Sequence, residues 1–233
     1  MNILAFGAHP DDIVLLCGGT LAKYASAGHK IFMAVVCRGD AVTTTLPPEE
    51  FGRLREEELR RSAAIINATV FPLGFPDFAI PSDYRVKLQI VEIIRRVTPE
   101  VIFTHDEEDY TMDHRRTAEL LDDCFIMSRA TGVKTESPSC SRHLMIYHMD
   151  TVGGGSFVPD VFVDITDFYH IKRKMMECHE TEVLPYQGDP VVDTLEWMEV
   201  TARYRGIQAG VRYAEAFRWP RRWSRMEIQH LLP

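Results

Sequence analysis

The chain predicts an α/β fold in which a doubly wound, mostly parallel sheet carries helices on both faces. Three observations predict it. Short apolar runs alternate with helix-length amphipathic runs through the first hundred residues. The apolar runs are close to continuous, which suits strands covered on both sides. Polar clusters follow the ends of the first and fourth runs, where an open sheet places its ligands.

Ile3 to Phe6 is the first strand, and Gly18-Gly19 opens a helix running to Ala27. Ile31 to Val36 is a second strand, β-branched and nearly uninterrupted. Glu49 to Ile66 reads as a helix, with apolar Leu59, Ala63 and Ile66 inside and charge outside. Val70 to Leu73 forms the third strand. Ser82-Asp83 caps a helix whose Leu88, Val91, Ile94 and Val97 keep three-residue spacing. Pro99 ends it, and Val101 to Thr104 is the fourth strand. A helix follows over Arg115–Arg129, then a loop from Thr131 to Ser141. His143 to Tyr147 and Val161 to Ile165 read as later strands, Phe168 to His179 and Asp193 to Tyr204 as later helices. With no repeat and no linker, residues 1–233 read as a single domain.

Composition narrows the function classes. The 233 residues carry 26 Lys+Arg against 34 Asp+Glu, a formal charge of −8. A net acidic chain lacks the basic footprint of a nucleic-acid binder. No apolar run is long enough to span a membrane. The first residues, Met-Asn-Ile-Leu-Ala-Phe, lack a basic region and a small-residue cleavage site, so a cytoplasmic location is expected. The five cysteines are widely spaced and form no C-x-x-C pair, which reads as core thiols.

The first strand ends in Ala8-His9-Pro10-Asp11-Asp12. His9 and Asp12 can face one point across the turn, whereas Asp11 points elsewhere. Imidazole plus carboxylate suits Zn²⁺, and a catalytic zinc takes three protein ligands with a position left for water. The third ligand must come from another strand end. The fourth strand exits into His105-Asp106-Glu107-Glu108-Asp109-Tyr110-Thr111-Met112-Asp113-His114 and lies beside the first in a doubly wound sheet. Spacing alone leaves His105 and His114 equal. His29, His143, His148 and His170 stand singly and read as structural or exposed.

Ala8-His9-Pro10-Asp11-Asp12, Gly18-Gly19-Thr20 and Asp113-His114-Arg115 resemble the PIG-L/LmbE-like family of zinc-dependent N-acetylglucosaminide deacetylases. The resemblance continues through Arg55-x-x-Glu58, Gly74-Phe75-Pro76-Asp77, Val163-Asp164-Ile165 with Lys172, and Gly210 to Phe217. It implies a Rossmann-like hydrolase that removes an acetyl group from an N-acetylated amino sugar or its conjugate. It implies further that His9, Asp12 and His114 hold the zinc and that Asp11 is the catalytic base. By the same resemblance Arg55 and Asp77 hold the sugar, and Asp113 supports the histidines of its loop.

Three departures stand out. Thr111 occupies the place of the family's oxyanion-stabilising His, so the donor is open among Thr111, Tyr110, His105 and His179. The family's His-x-Ser/Thr-Gln reads His179-Glu180-Thr181-Glu182, which keeps His179 as a substrate contact but puts Glu182 in place of Gln. The acid that often follows A-H-P-D-D is Ile13.

A zinc on two imidazoles and one carboxylate lowers the pKa of its water to roughly 7, and Asp11 would take that proton and later deliver it to the leaving amine. The competing reading is a non-catalytic metal- or nucleotide-binding α/β protein of the same fold. Gly18-Gly19 makes neither a G-x-G-x-x-G nor a Walker pattern. The expected partner is a small amino-sugar substrate. Trp219-Pro220-Arg221-Arg222-Trp223 reads as an exposed tail or a contact within a homo-oligomer.

Overall fold

The computed structural model describes residues 1–42, 46–140, 144–155 and 157–220. Its strands are β1 (Asn2–Gly7), β2 (Lys30–Cys37), β3 (Thr69–Phe75), β4 (Val101–Thr104), β5 (Met145–Met149), β6 (Val161–Asp164) and β7 (Ala214–Arg218). Its helices are α1 (Asp12–Ser26), α2 (Pro48–Ala64), α3 (Tyr84–Val97), α4 (Met112–Arg129), α5 (Tyr169–Glu177), α6 (Glu180–Val183) and α7 (Thr194–Ala209). One seven-stranded sheet runs in the order β3-β2-β1-β4-β5-β7-β6. Neighbours from β3 to β5 pair in parallel; β7 is antiparallel to both β5 and β6. This is the doubly wound, mostly parallel sheet expected.

Strand alternation explains why both faces are covered. Ile3, Ala5, Met33, Val35 and Phe103 pack under α1, α2, α5 and α7. Leu4, Phe6, Ala34, Val36 and Ile102 point the other way, under α3 and α4. Side chains on both faces of β1 are fully buried, each worth about 1.5–3 kcal/mol for a residue of Leu or Phe size. The order reverses between β1 and β4, so the crevice outside their carboxyl ends is where this architecture binds ligands.

Several boundaries differ from expectation. α1 begins at Asp12, six residues before Gly18. The two glycines serve packing instead: a Cβ on Gly19 would lie 2.7 Å from Ile165 Cδ1. α4 begins at Met112, which puts Asp113 and His114 in its first turn. β5 starts two residues after His143, and α7 runs on to Ala209, where Gly210 ends it with φ 74°. β7 was not expected, nor was α6. The α3 cap agrees, since Asp83 accepts from Arg85 N and Val86 N. His143 and Arg221, Arg222 and Trp223 lie outside the described residues. Among the described residues, no helix is long and apolar enough to cross a membrane. The five cysteines are free, four of them buried.

Candidate active site

Two helix N-termini meet at the switch point. α1 carries Asp11 at its N-cap and Asp12 in its first turn; α4 carries Thr111 at its N-cap, then Asp113 and His114. Neither Asp11 nor Thr111 spends its side chain on capping. Both are therefore available to something else.

One ligand atom each from His9, Asp12 and His114 lies within 4.8 Å of the others. His9 Nδ1 is 3.2 Å from Asp12 Oδ2, and His114 Nε2 is 3.3 Å from Asp12 Oδ1. The outer nitrogen of each ring is held by a second acid. His114 Nδ1 meets Asp109 Oδ2 at 3.1 Å, and His9 Nε2 meets Asp113 Oδ2 at 3.2 Å. These acids are fixed in turn: Thr111 N donates to Asp109 Oδ1, and Phe78 N donates to Asp113 Oδ2. Carboxylate–histidine pairs of this kind orient the rings of metal sites. Asp113 thus supports His9, from the other loop, rather than the histidines of its own loop.

The electrostatics fit a cation. Burial alone would lower both imidazoles, yet the Asp12 carboxylate and the hydrogen-bonded acids raise His9 well above its ordinary value and His114 to about 9. Asp12 is held well below the usual carboxylate range by His114, His9 and His105, against its own burial. A field that draws protons onto two histidines is also a field that holds a divalent ion. His, His and Asp converging on one point are the donor set that zinc takes.

His105 is different. Its Nε2 accepts the Ala8 amide at 2.9 Å, its ring stacks on His114 with centroids 3.9 Å apart, and it is fully buried. Burial and the neighbouring His114 lower it to about 4, so it is neutral. Two other groupings of potential ligands are close at hand, one of His105, Asp109 and His114 and one of His9, Cys37, Asp77 and Asp113. In the second, Asp77 accepts Gly39 N and Ala41 N with its two oxygens, and burial pushes the Cys37 thiol up. That grouping is wired to protein donors.

Asp11 turns to Arg55. Arg55 Nη2 donates to Asp11 Oδ1 at 2.5 Å and stands 3.5 Å from Glu182 Oε2. Its Nη1 donates to Gly39 O, and a Cβ on Gly39 would fall 2.7 Å from that nitrogen. The helical Arg55–Glu58 pair is not formed, because Glu58 accepts Thr181 N and Thr181 Oγ1. Asp77 ties the β2–α2 loop to the β3–α3 loop. Phe78 beside it adopts φ 60°, a left-handed conformation that costs a bulky residue on the order of 1–3 kcal/mol. The strain aims the Phe78 amide at Asp113.

A cavity of about 590 Å³ opens over these groups. Its floor includes His9, Asp11, Asp12, Arg55 and His114, and Asp77, Thr111 and Glu182 reach its wall. Phe78, Tyr110, Tyr186 and Trp197 supply aromatic surface. His179 is not part of the lining. It is fully buried, neither ring nitrogen has a hydrogen-bond partner among the described residues, and burial lowers it to about 4. Asp109, Tyr186 and Trp197 were missed from sequence. Asp109 carried the only signal, five residues ahead of His114 in an acidic run.

Comparison with known proteins agrees with the geometry. The family described as PIG-L, GlcNAc-PI de-N-acetylase, matches residues 4–125. A diacetylchitobiose deacetylase of Thermococcus kodakarensis is 27% identical over 94% of this chain and 82% of its own length. A 4-oxalmesaconate hydratase of Pseudomonas putida is 27% identical over 76% and 72%. The N,N'-diacetylchitobiose deacetylase structure from Pyrococcus horikoshii superposes with a TM-score of 0.82 over 93% of this chain and 82% of that one, at 24% identity. With strand order, motif order and the family match in accord, the chain belongs to the PIG-L family of de-N-acetylases.

Proposed function

We propose that the protein is a cytoplasmic, zinc-dependent hydrolase that removes the acetyl group from an N-acetylated amino sugar or its conjugate. The observation that supports this most is the position of Asp11. It sits beside the His9–Asp12–His114 cluster, takes no part in capping α1 and faces the cavity.

Zinc held by His9, Asp12 and His114 would polarise the acetyl carbonyl and acidify the attacking water. Asp11 accepts the proton of that water, and Arg55 fixes the carboxylate in place. General base help of this kind is worth about 10²–10⁴-fold. Thr111 offers its hydroxyl to the carbonyl oxygen from the cavity wall. Asp113 and Asp109 hold the two imidazoles in the ligating orientation. Asp77 and Arg55 shape the sugar subsite through the loops they join, and aromatic Trp197 and Tyr110 give a sugar ring apolar faces to rest on.

Charge separates this reading from the hydratase named among the relatives. Among the described residues lining the cavity, Arg55 carries the lone guanidinium and no lysine is present, and Arg55 is engaged by two acids. Asp11, Asp12 and Asp77 place three further carboxyl groups in the lining. A neutral N-acetyl sugar suits that surface better than a carboxylate-rich substrate.

The experiment is acetate release over a panel of N-acetylated amino sugars, free and conjugated, alongside metal analysis of the purified protein. About one zinc per chain and acetate from at least one sugar are expected. A protein that releases no acetate from the panel with zinc bound would overturn the reading.

A further inference from the structure

Glu182 is the residue that the reading above leaves without a task. It stands on α6, where the resembled family has an uncharged Gln, and its side chain is a quarter exposed, into the cavity. Its Oε2 lies 3.5 Å from the same Arg55 Nη2 that donates to Asp11 at 2.5 Å. Those two contacts laid end to end limit the separation of the carboxyl oxygens to roughly 6 Å, the span of two hydrogen bonds of about 3 Å. Both carboxyl groups line the same cavity.

The charges around this pair do not balance. His9 faces it from the β1–α1 loop, Asp12 from the first turn of α1, and Arg55 from α2, where Glu58 has turned away to Thr181. Buried His179 is neutral. One guanidinium therefore serves two acids. Asp11, with the shorter contact, holds the ion pair, and the second carboxyl keeps its proton more readily. Burial, and then the charge of Asp11, raise Glu182 to about 7. Gln at this place would leave Asp11 as the one carboxylate on Arg55 Nη2.

We propose that Glu182 is a second catalytic carboxyl, which gives a proton to the leaving nitrogen while Asp11 takes one from water. The inference rests on the deacetylase reading and deepens it. The water oxygen bonds to the acetyl carbon and loses a proton to Asp11. The C–N bond then breaks, its electron pair stays on nitrogen, and the Glu182 proton goes to that pair. The products are the free amine and acetic acid, and exchange with solvent returns Asp11 and Glu182 to their starting states. Dividing the roles frees Asp11 from reaching both oxygen and nitrogen.

Glu182→Gln tests it, since Gln keeps the shape and is the residue the family carries. A merely structural Glu182 would tolerate that change. The sign of the pH dependence follows from the role: the protonated acid is the active form, so wild-type kcat falls as pH rises through the titration of Glu182. In Glu182→Gln that fall should vanish, and kcat near neutrality should drop on the order of 10²-fold with zinc content unchanged. An unchanged kcat, or a uniform loss at every pH with the profile intact, would overturn the proposal. A second measurement needs no turnover. Carboxyl carbon-13 NMR of the zinc-loaded protein should show one glutamate titrating near neutrality that is absent from Glu182→Gln. A Glu182 signal titrating in the ordinary carboxylate range would sink the idea even if the enzyme is active. If no sugar is deacetylated, the functional reading fails, and the NMR titration still decides whether Glu182 holds its proton.

Discussion

Two clusters of buried charge are attached to α1, one at its N-terminus and one at its middle, and they differ in how their valences are filled. At the middle, Lys172 Nζ meets Glu215 Oε1 at 2.7 Å, both side chains 3% exposed. Glu215 also accepts Gly19 N and Thr20 N, so mid-helix amides end on a side chain of β7. Each charged end of the pair has a partner. At the N-terminus, Asp11 and Glu182 share one cation, Arg55, whose Nε has no hydrogen-bond partner among the described residues, and both carboxyl groups look into a cavity. Buried charge is common to the two. Unfilled valence pointing at open space belongs to one, and that is the feature which separates chemistry from support.

The sharpest way to break this contrast is at Asp11. Asp11→Asn keeps the size and can still accept from Arg55, but it cannot take a proton. We expect retained fold and retained zinc with kcat reduced on the order of 10²–10⁴-fold. Asp12→Asn should instead lose metal first. Metal analysis beside acetate release tells them apart. If Asp11→Asn lowers the melting temperature and leaves turnover intact, the N-terminal cluster is a support like the other.

The mid-helix cluster should respond in the opposite sense. Glu215→Ala strands a buried lysine and two amides at once. Removing one partner of a buried pair costs about 3–5 kcal/mol, read as a lower denaturant midpoint, whereas kcat per folded molecule stays near wild type. The double variant Lys172→Met, Glu215→Ala removes the stranded charge but not the stranded amides. It should recover only part of the loss, because an unsatisfied buried amide still costs about 1–3 kcal/mol. Full recovery would mean that the amides find other acceptors and that the cluster is less closed than it looks.

The same contrast explains what was legible in the sequence. Strand ends and ligand types were readable, because apolar runs fix the strands and a doubly wound order puts the ends of β1 and β4 side by side. Spacing could not separate His105 from His114; in the fold His105 is fully buried with Nε2 on the Ala8 amide, whereas His114 lines the cavity. Asp109 was hidden among Asp106, Glu107 and Glu108, where only the place of His114 on α4 selects it. Arg55 had a local partner in Glu58 at helical spacing, and a long-range one won. β7 was missed because its five residues carry a glutamate at the second position, which reads as a surface residue until Lys172 is seen opposite.

Gly18 and Gly19 allow the mildest test, two adjacent positions of one helix at the edge of the closed cluster. An added Cβ on Gly19 meets Ile165 at 2.7, 3.0 and 3.0 Å, all on atoms of a buried branched side chain that has little room to turn. On Gly18 it meets Val14 Cγ1 at 3.3 Å and Lys172 Cγ at 3.4 Å, contacts that a few tenths of an ångström relieve. Ala is favoured over Gly in a helix interior by about 1 kcal/mol, and overpacking a tight core costs about 1–3 kcal/mol. Gly19→Ala should therefore be destabilising by chemical denaturation, while Gly18→Ala should fall close to neutral. Neither should alter zinc content or kcat. If Gly19→Ala were tolerated as well as Gly18→Ala, Ile165 would have to move without cost, and the closed cluster would be looser than its contacts indicate.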